Sequence, residues 1–135
     1  MKKNILFIIS ALFAFTLFSF VPKKINQQNP WVVPDAEKSK VNPLKGDAAS
    51  ITLGKTLYTT HCKSCHGVKG KGDGPKASQL DTECGDFTKA GFQAETDGAI
   101  HYKTDKGRKD MPSFHSKITE ENGIWAVVNY LRTLK

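Results

Sequence analysis

Cys62-Lys63-Ser64-Cys65-His66 decides the reading of this 135-residue chain. Two thiols three positions apart, followed directly by a histidine, form the pattern of a covalent haem attachment site. The order is chemical. The thiols add across the two vinyl groups on one edge of the macrocycle as thioethers, and the adjacent imidazole then lies beneath the iron as proximal ligand. A zinc half-site would need a second Cys pair or a closely spaced His pair, and none follows at workable distance. A thioredoxin-like dithiol would need a preceding strand and a βαβ frame, whereas the residues before Cys62 read as helical. A plain disulfide leaves His66 without a role.

Working outward, Ser50 is the expected cap of a helix whose apolar face, Ile51, Leu53, Leu57 and Tyr58, leads into Cys62. From Gly67 to Glu95 the chain is rich in Gly, Lys, Asp and Thr and is expected to loop through left-handed turns. A short helix is expected from Asp97 to Lys106, with Thr96 as cap and Gly107 as stop. A last helix is read with Thr119 as cap, Glu120 and Glu121 in its first turn, and a stripe of Ile124, Trp125, Val128, Leu131 and Leu134. Arg132 and Lys135 close it with the favoured charge.

The ends carry different information. Lys2 and Lys3 precede an uncharged apolar run from Ile5 to Val21, the layout of an export leader. That run exceeds the roughly 7 to 15 residues of a cleaved signal and sits at the low edge of the roughly 17 to 25 needed to span a bilayer. Residues 1–21 are therefore expected to be an export signal or an uncleaved membrane anchor, with residues 5–21 as the tether. Residues 22–48 read as a Pro-rich linker, with Pro22, Pro30, Pro34 and Pro43 in it. Its apolar residues Trp31, Val32, Val33, Val41 and Leu44 either pack back on the domain or dock on a larger subunit. Residues 49–135 form the haem domain. The net charge of +7 shrinks once the leader lysines and two haem propionates are set aside, so nucleic acid is not an expected partner. Lys63, Lys69, Lys71 and Lys76 near the attachment site face a more acidic stretch holding Asp81, Glu83, Asp86, Glu95 and Asp97. Such a dipolar surface suits electrostatic steering of a redox partner.

With these residues in view, the chain from 49 to 135 resembles a small class I c-type cytochrome. The likeness rests on Gly54 and Tyr58 before CKSCH, Gly74-Pro75 after it, Met111-Pro112 later, and Trp125-Ala-Val-Val-Asn-Tyr-Leu-Arg132 at the end. It implies an all-α cytochrome c fold: crossed N- and C-terminal helices and a short middle helix around covalently attached haem. Gly54 would let the crossing helices approach, opposite Val127, Tyr130 and Leu131. It implies one haem c per chain, attached through Cys62 and Cys65, with His66 and Met111 on the iron. The carbonyl of Pro75 would accept the proximal ring N–H. Met111 lies in a polar loop, where a core methionine is out of place; His115 is the rival ligand. Tyr58, Phe87, Phe92, Phe114 and Trp125 are expected to wall the macrocycle or fill the core.

The function so implied is single-electron transfer between exported respiratory redox partners, without catalysis, in the periplasm, soluble or tethered. Donor and acceptor would be a respiratory complex and a terminal oxidase or reductase, and a monomer is expected. A haem subunit fixed in a larger respiratory complex, and a haem enzyme or gas sensor with a labile sixth ligand, are the alternatives. Cys84 has no counterpart in the resemblance. It is read as a buried inert thiol, an intermolecular disulfide partner or a reactive thiol, with Glu83 and Asp86 expected to raise its pKa.

Overall fold

The computed structural model describes residues 30–135. The leader and the first part of the Pro-rich segment lie outside the described residues. Six helices follow in order: α1 (Asp35–Lys38), α2 (Ala48–His61), α3 (Lys63–His66), α4 (Ala90–Gln93), α5 (Asp97–Lys106) and α6 (Gly123–Leu131), with one 3-10 turn at Ala77–Gln79. No strand is formed among the described residues, only an isolated bridge between Arg108 and Met111. The protein is all-α.

The fold is organised by the crossing of α2 and α6. α6 is buried along almost its whole length, from Gly123 through Asn129 and again at Leu131, as expected of a helix that is apolar nearly all round. Gly54 makes the crossing possible. A Cβ at Gly54 would sit 2.0 Å from the Ala126 carbonyl oxygen and 3.0 Å from Tyr130 Cβ, so the backbones touch where any side chain would separate them. Tyr58 and Tyr130 pack beside this point with ring centroids 5.2 Å apart. Leu57, Tyr58, Ile100, Phe114, Ile118 and Val128 join the same buried cluster.

Two helix starts differ from the sequence reading. α2 is capped by Asp47, whose carboxylate accepts from the backbone N–H of Ala49 and Ser50. Ser50 instead lies inside the helix, where its hydroxyl donates to the Asp47 carbonyl. α6 begins at Gly123, after Asn122 has turned left-handed at φ 57°, so Thr119 does not cap it and Glu120 and Glu121 precede it. Asn tolerates that conformation at low cost because its short amide can bond locally. α5 matches its expected bounds: Thr96 accepts from Ala99 N–H, and Gly107 at φ 66° ends it.

The segment before α2 lies against the rest of the protein. Val33 is buried and Leu44 packs on the core, while Val32 and Val41 are exposed. α1 rests on the start of α5, where a Cβ at Gly98 would lie 2.2 Å from the Glu37 carbonyl. A buried polar network ties the same segment to α6. Asn129 Nδ2 donates to the Leu44 carbonyl at 2.6 Å and to Ser50 Oγ at 2.7 Å, and Asn129 Oδ1 accepts from Asn42 Nδ2 at 2.7 Å. Asn42 Nδ2 also reaches Asp97. Replacing Asn129 by alanine removes three hydrogen bonds at once; each partner keeps one other bond, so the loss is that of the bonds themselves, about 0.5 to 1.5 kcal/mol net each. Asn129→Ala should therefore lower the urea midpoint by the equivalent of about 2 kcal/mol or more, measured by far-UV circular dichroism; an unchanged midpoint would mean that water replaces the network.

Arg132, just past α6, fixes the other end. Its Nε donates to Asp97 Oδ1 at 2.8 Å and its Nη1 to the Gln93 carbonyl at 2.9 Å, so one planar fork holds α4, α5 and α6 together. No helix among the described residues is long and apolar enough to cross a membrane.

Candidate functional site

The Cys62–His66 peptide is positioned by α2. The helix runs out at His61, Cys62 N–H still bonds to the Tyr58 carbonyl, and the single turn of α3 follows. His66 N–H closes that turn on the Cys62 carbonyl at 2.9 Å. Gly67, at φ 78°, then takes the chain away, a backbone conformation that glycine enters without steric cost. Tyr58 braces the exit: its buried hydroxyl donates to the Gly67 carbonyl at 2.6 Å. Burial pushes the Tyr58 pKa upward, so this hydroxyl stays a donor.

Met111 arrives from much later in the chain on a tight turn. Arg108 N–H donates to the Met111 carbonyl at 2.8 Å and Met111 N–H returns to the Arg108 carbonyl at 3.1 Å. Lys109, at φ 53°, turns the corner. Buried Phe114, whose N–H donates to the Thr104 carbonyl, anchors the far end of this loop to α5.

Between these two elements lies a cavity of about 410 Å³, within the usual range of cofactor sites. Cys62, Cys65, His66 and Met111 all border it, with Leu80, Phe87, Phe92, Ile100, Phe114 and Leu131 as apolar wall. Residues far apart in sequence are thus brought to one apolar space. His61 and Cys84 also border it.

The donor set fits an iron porphyrin. Both Cys62 and Cys65 are unpaired thiols. Cys62 is buried, and that burial, reinforced by Cys65, pushes its pKa up to about 12; it is not poised as a thiolate for metal or redox chemistry. Burial lowers the His66 pKa, partly opposed by the backbone of Gly85, which leaves the imidazole neutral and able to ligate. Its ring stacks on Phe87 with centroids 4.5 Å apart. His66 Nδ1 is buried without a hydrogen-bond partner, so it does not bond to the Pro75 carbonyl here. A buried nitrogen without a partner is unusual and is consistent with a group held for a ligand.

The rival histidine is placed elsewhere. His115 is 75% exposed and its Nδ1 pairs with Asp105 Oδ1 at 2.7 Å. His101 stacks on Trp125 at 4.0 Å, and its burial lowers its pKa. Trp125 therefore serves the core, whereas Tyr58, Phe87, Phe92 and Phe114 face the cavity. Cys84 is half-buried and unpaired; burial, then Cys65 and Asp110, raise its pKa. Glu83 and Asp86, its neighbours in sequence, are not the cause. Sequence reading missed Trp31, Glu95 and Lys103, which also border the cavity. Trp31 was visible only as an apolar exception in a Pro-rich stretch.

An all-helical domain with the Cys62–His66 turn and the Met111 loop on one apolar cavity fits a haem electron-transfer protein. The chain belongs to the cytochrome c family, whose model matches residues 51–135, and membership implies covalently bound haem c. No curated protein matches the chain. Among solved structures it is similar to a chain of the Kuenenia stuttgartiensis reducing HAO-like protein complex Kustc0457/Kustc0458, at 27% identity and a TM-score of 0.62. That match covers 80% of this chain and 52% of the other, so this protein spans about half the length of that neighbour. It is also similar to the KustC0563 c-type cytochrome, at 33% identity and a TM-score of 0.52, covering 61% of this chain and 96% of that one.

Proposed function

We propose that this protein is a monohaem c-type cytochrome that passes single electrons between exported respiratory redox partners. One haem c per chain would be held by thioethers from Cys62 and Cys65, with His66 and Met111 as the iron ligands. The observation that carries the reading is the convergence of these four side chains on one apolar cavity. Bound haem supplies an iron that gains and loses one electron.

The chain does the rest. The α3 turn presents both thiols and His66 together, and Phe87 holds the imidazole plane by stacking. The Arg108–Met111 turn presents a thioether, a ligand that favours the reduced state relative to a second histidine. The apolar wall excludes water and keeps the local dielectric low, which also tunes potential. With His66 and Met111 both holding the iron, no position would be left for substrate, which favours carrier over catalyst.

Export to the periplasm follows from residues 1–21, with residues 5–21 as cleaved leader or membrane tether. A respiratory complex and a terminal oxidase or reductase are the proposed partners, met through the small interfaces usual for transient redox encounters. Lys63, Lys69, Lys71 and Lys76 supply the steering field. The likeness to a chain of a complex supports a second reading, a haem subunit fixed in a larger assembly. Native purification separates the two: a carrier elutes as a monomer, a subunit with its assembly.

Covalent attachment is tested by intact mass after denaturation, using protein expressed with a working haem-attachment system. The wild type should retain one haem per chain, and the Cys62→Ser, Cys65→Ser double variant none. A wild-type chain without haem would end the proposal.

A further inference from the structure

Trp31 belongs to the segment ahead of the domain, outside residues 51–135 that the family matches, yet it borders the central cavity together with Met111. Its ring lies under two cations: the Arg108 guanidinium at 4.9 Å from the ring centroid and Lys103 Nζ at 5.9 Å. Arg108 is also the residue whose backbone bonds to Met111 in both directions. The contact chain therefore runs from the upstream segment, through one indole and one guanidinium, to the methionine turn.

The segment that carries Trp31 is held firmly. Val33, two residues on, is buried, Asn42 is locked to Asn129, and Gly98 accepts the α1 backbone where a methyl group would collide with the Glu37 carbonyl. The indole is thus presented from a fixed base. The turn it touches is short and outward-facing: Arg108 and Met111 exchange two backbone bonds, Lys109 is left-handed, Thr82 N–H donates to the Asp110 carboxylate, and Lys109 and Asp110 are exposed. A tight turn with few buried contacts is the part of a structure that opens most readily.

We propose that Trp31 is a positioning residue for Met111: by stacking on Arg108 it holds the methionine turn closed, and so sets how often the sixth ligand leaves the iron. This rests on the His66/Met111 reading. The upstream segment is then part of the haem site, and its docking governs access of small ligands to the iron.

The test uses the full-length oxidised holoprotein and imidazole, whose binding is limited by departure of Met111. Trp31→Ala should speed imidazole uptake about tenfold, in keeping with loss of a partly desolvated cation–π contact. Trp31→Phe, which keeps a weaker aromatic face, should fall between. Gly98→Ala, which displaces α1, should also speed uptake, and Val32→Ala, at an exposed neighbour, should leave it unchanged. In a Met111→Ala background the Trp31→Ala effect should vanish, because residues acting through one another are not additive. Uptake at the wild-type rate in Trp31→Ala overturns the proposal, as does an acceleration that persists without Met111. Failure of the ligation reading looks different: wild-type protein would then take imidazole immediately, and Met111→Ala would leave the wild-type spectrum unchanged.

Discussion

Gly54→Ala should unfold at a temperature at least about 12 °C below the wild type, equivalent to about 3 kcal/mol or more in a domain of this size. Helix propensity points the other way, since alanine in a helix interior is favoured over glycine by about 1 kcal/mol. Packing decides the sign. The added methyl would stand 2.0 Å from the Ala126 carbonyl oxygen, and that oxygen belongs to the backbone of a helix buried along almost its whole length and cannot turn aside as a flexible side chain would. Relief requires α2 and α6 to move apart, which opens the Tyr58–Tyr130 contact and the buried cluster beside it. Interiors are packed densely enough that such a separation forfeits many contacts together. Thermal denaturation of the oxidised holoprotein gives the answer. A midpoint equal to or above the wild type would show that the crossing is looser than its geometry states.

Met111→Ala should convert a low-spin protein that ignores carbon monoxide into one that binds it at once in the ferrous state. Without the thioether His115 is not placed to replace it, being engaged with Asp105 on the exposed side of its loop. The reduction potential should fall, because thioether ligation favours ferrous iron. The fold should survive, since Met111 is half-buried and the loop is anchored beyond it by Phe114. Reduced-minus-oxidised spectra with and without carbon monoxide read both consequences. An unchanged spectrum would remove Met111 from the iron and return the sixth position to another group.

Much of this was legible in residues. CKSCH named the cofactor because its chemistry demands that spacing, and the resemblance to the family put Gly54 at the crossing, where only a small residue fits between two backbones. Thr96 and Gly107 marked α5 because capping is local, decided by one side chain and one backbone conformation. Other starts were misplaced for equally local reasons. Asp47 and Ser50 are both good caps three residues apart, and a carboxylate that takes two N–H groups wins. At the last helix the acids after Thr119 imitated a first turn, while the turn signal in Asn122-Gly123 marked the true start.

The path of the upstream segment was the least legible part. Proline-rich composition predicts extended chain, and nothing in the sequence pairs Asn42 with Asn129 or Trp31 with Arg108. These are tertiary matches between residues of ordinary type, visible only once α5 and α6 are in place. Phe87 was foreseen as an aromatic wall, but its stacking on His66 depends on the loop returning through the Phe87 N–H to Gly70 carbonyl bond.

The buried network around Asn129 also says where the folding unit begins. A chain trimmed to the family's boundary would keep every haem-binding side chain, yet it would leave the Asn129 amide without its Leu44 and Asn42 partners and uncover the seat of Val33. The cooperative unit is therefore longer than the stretch the family matches: the molecule carries its own upstream strap as an integral piece of its interior, and a tether attached there would pull on the core itself.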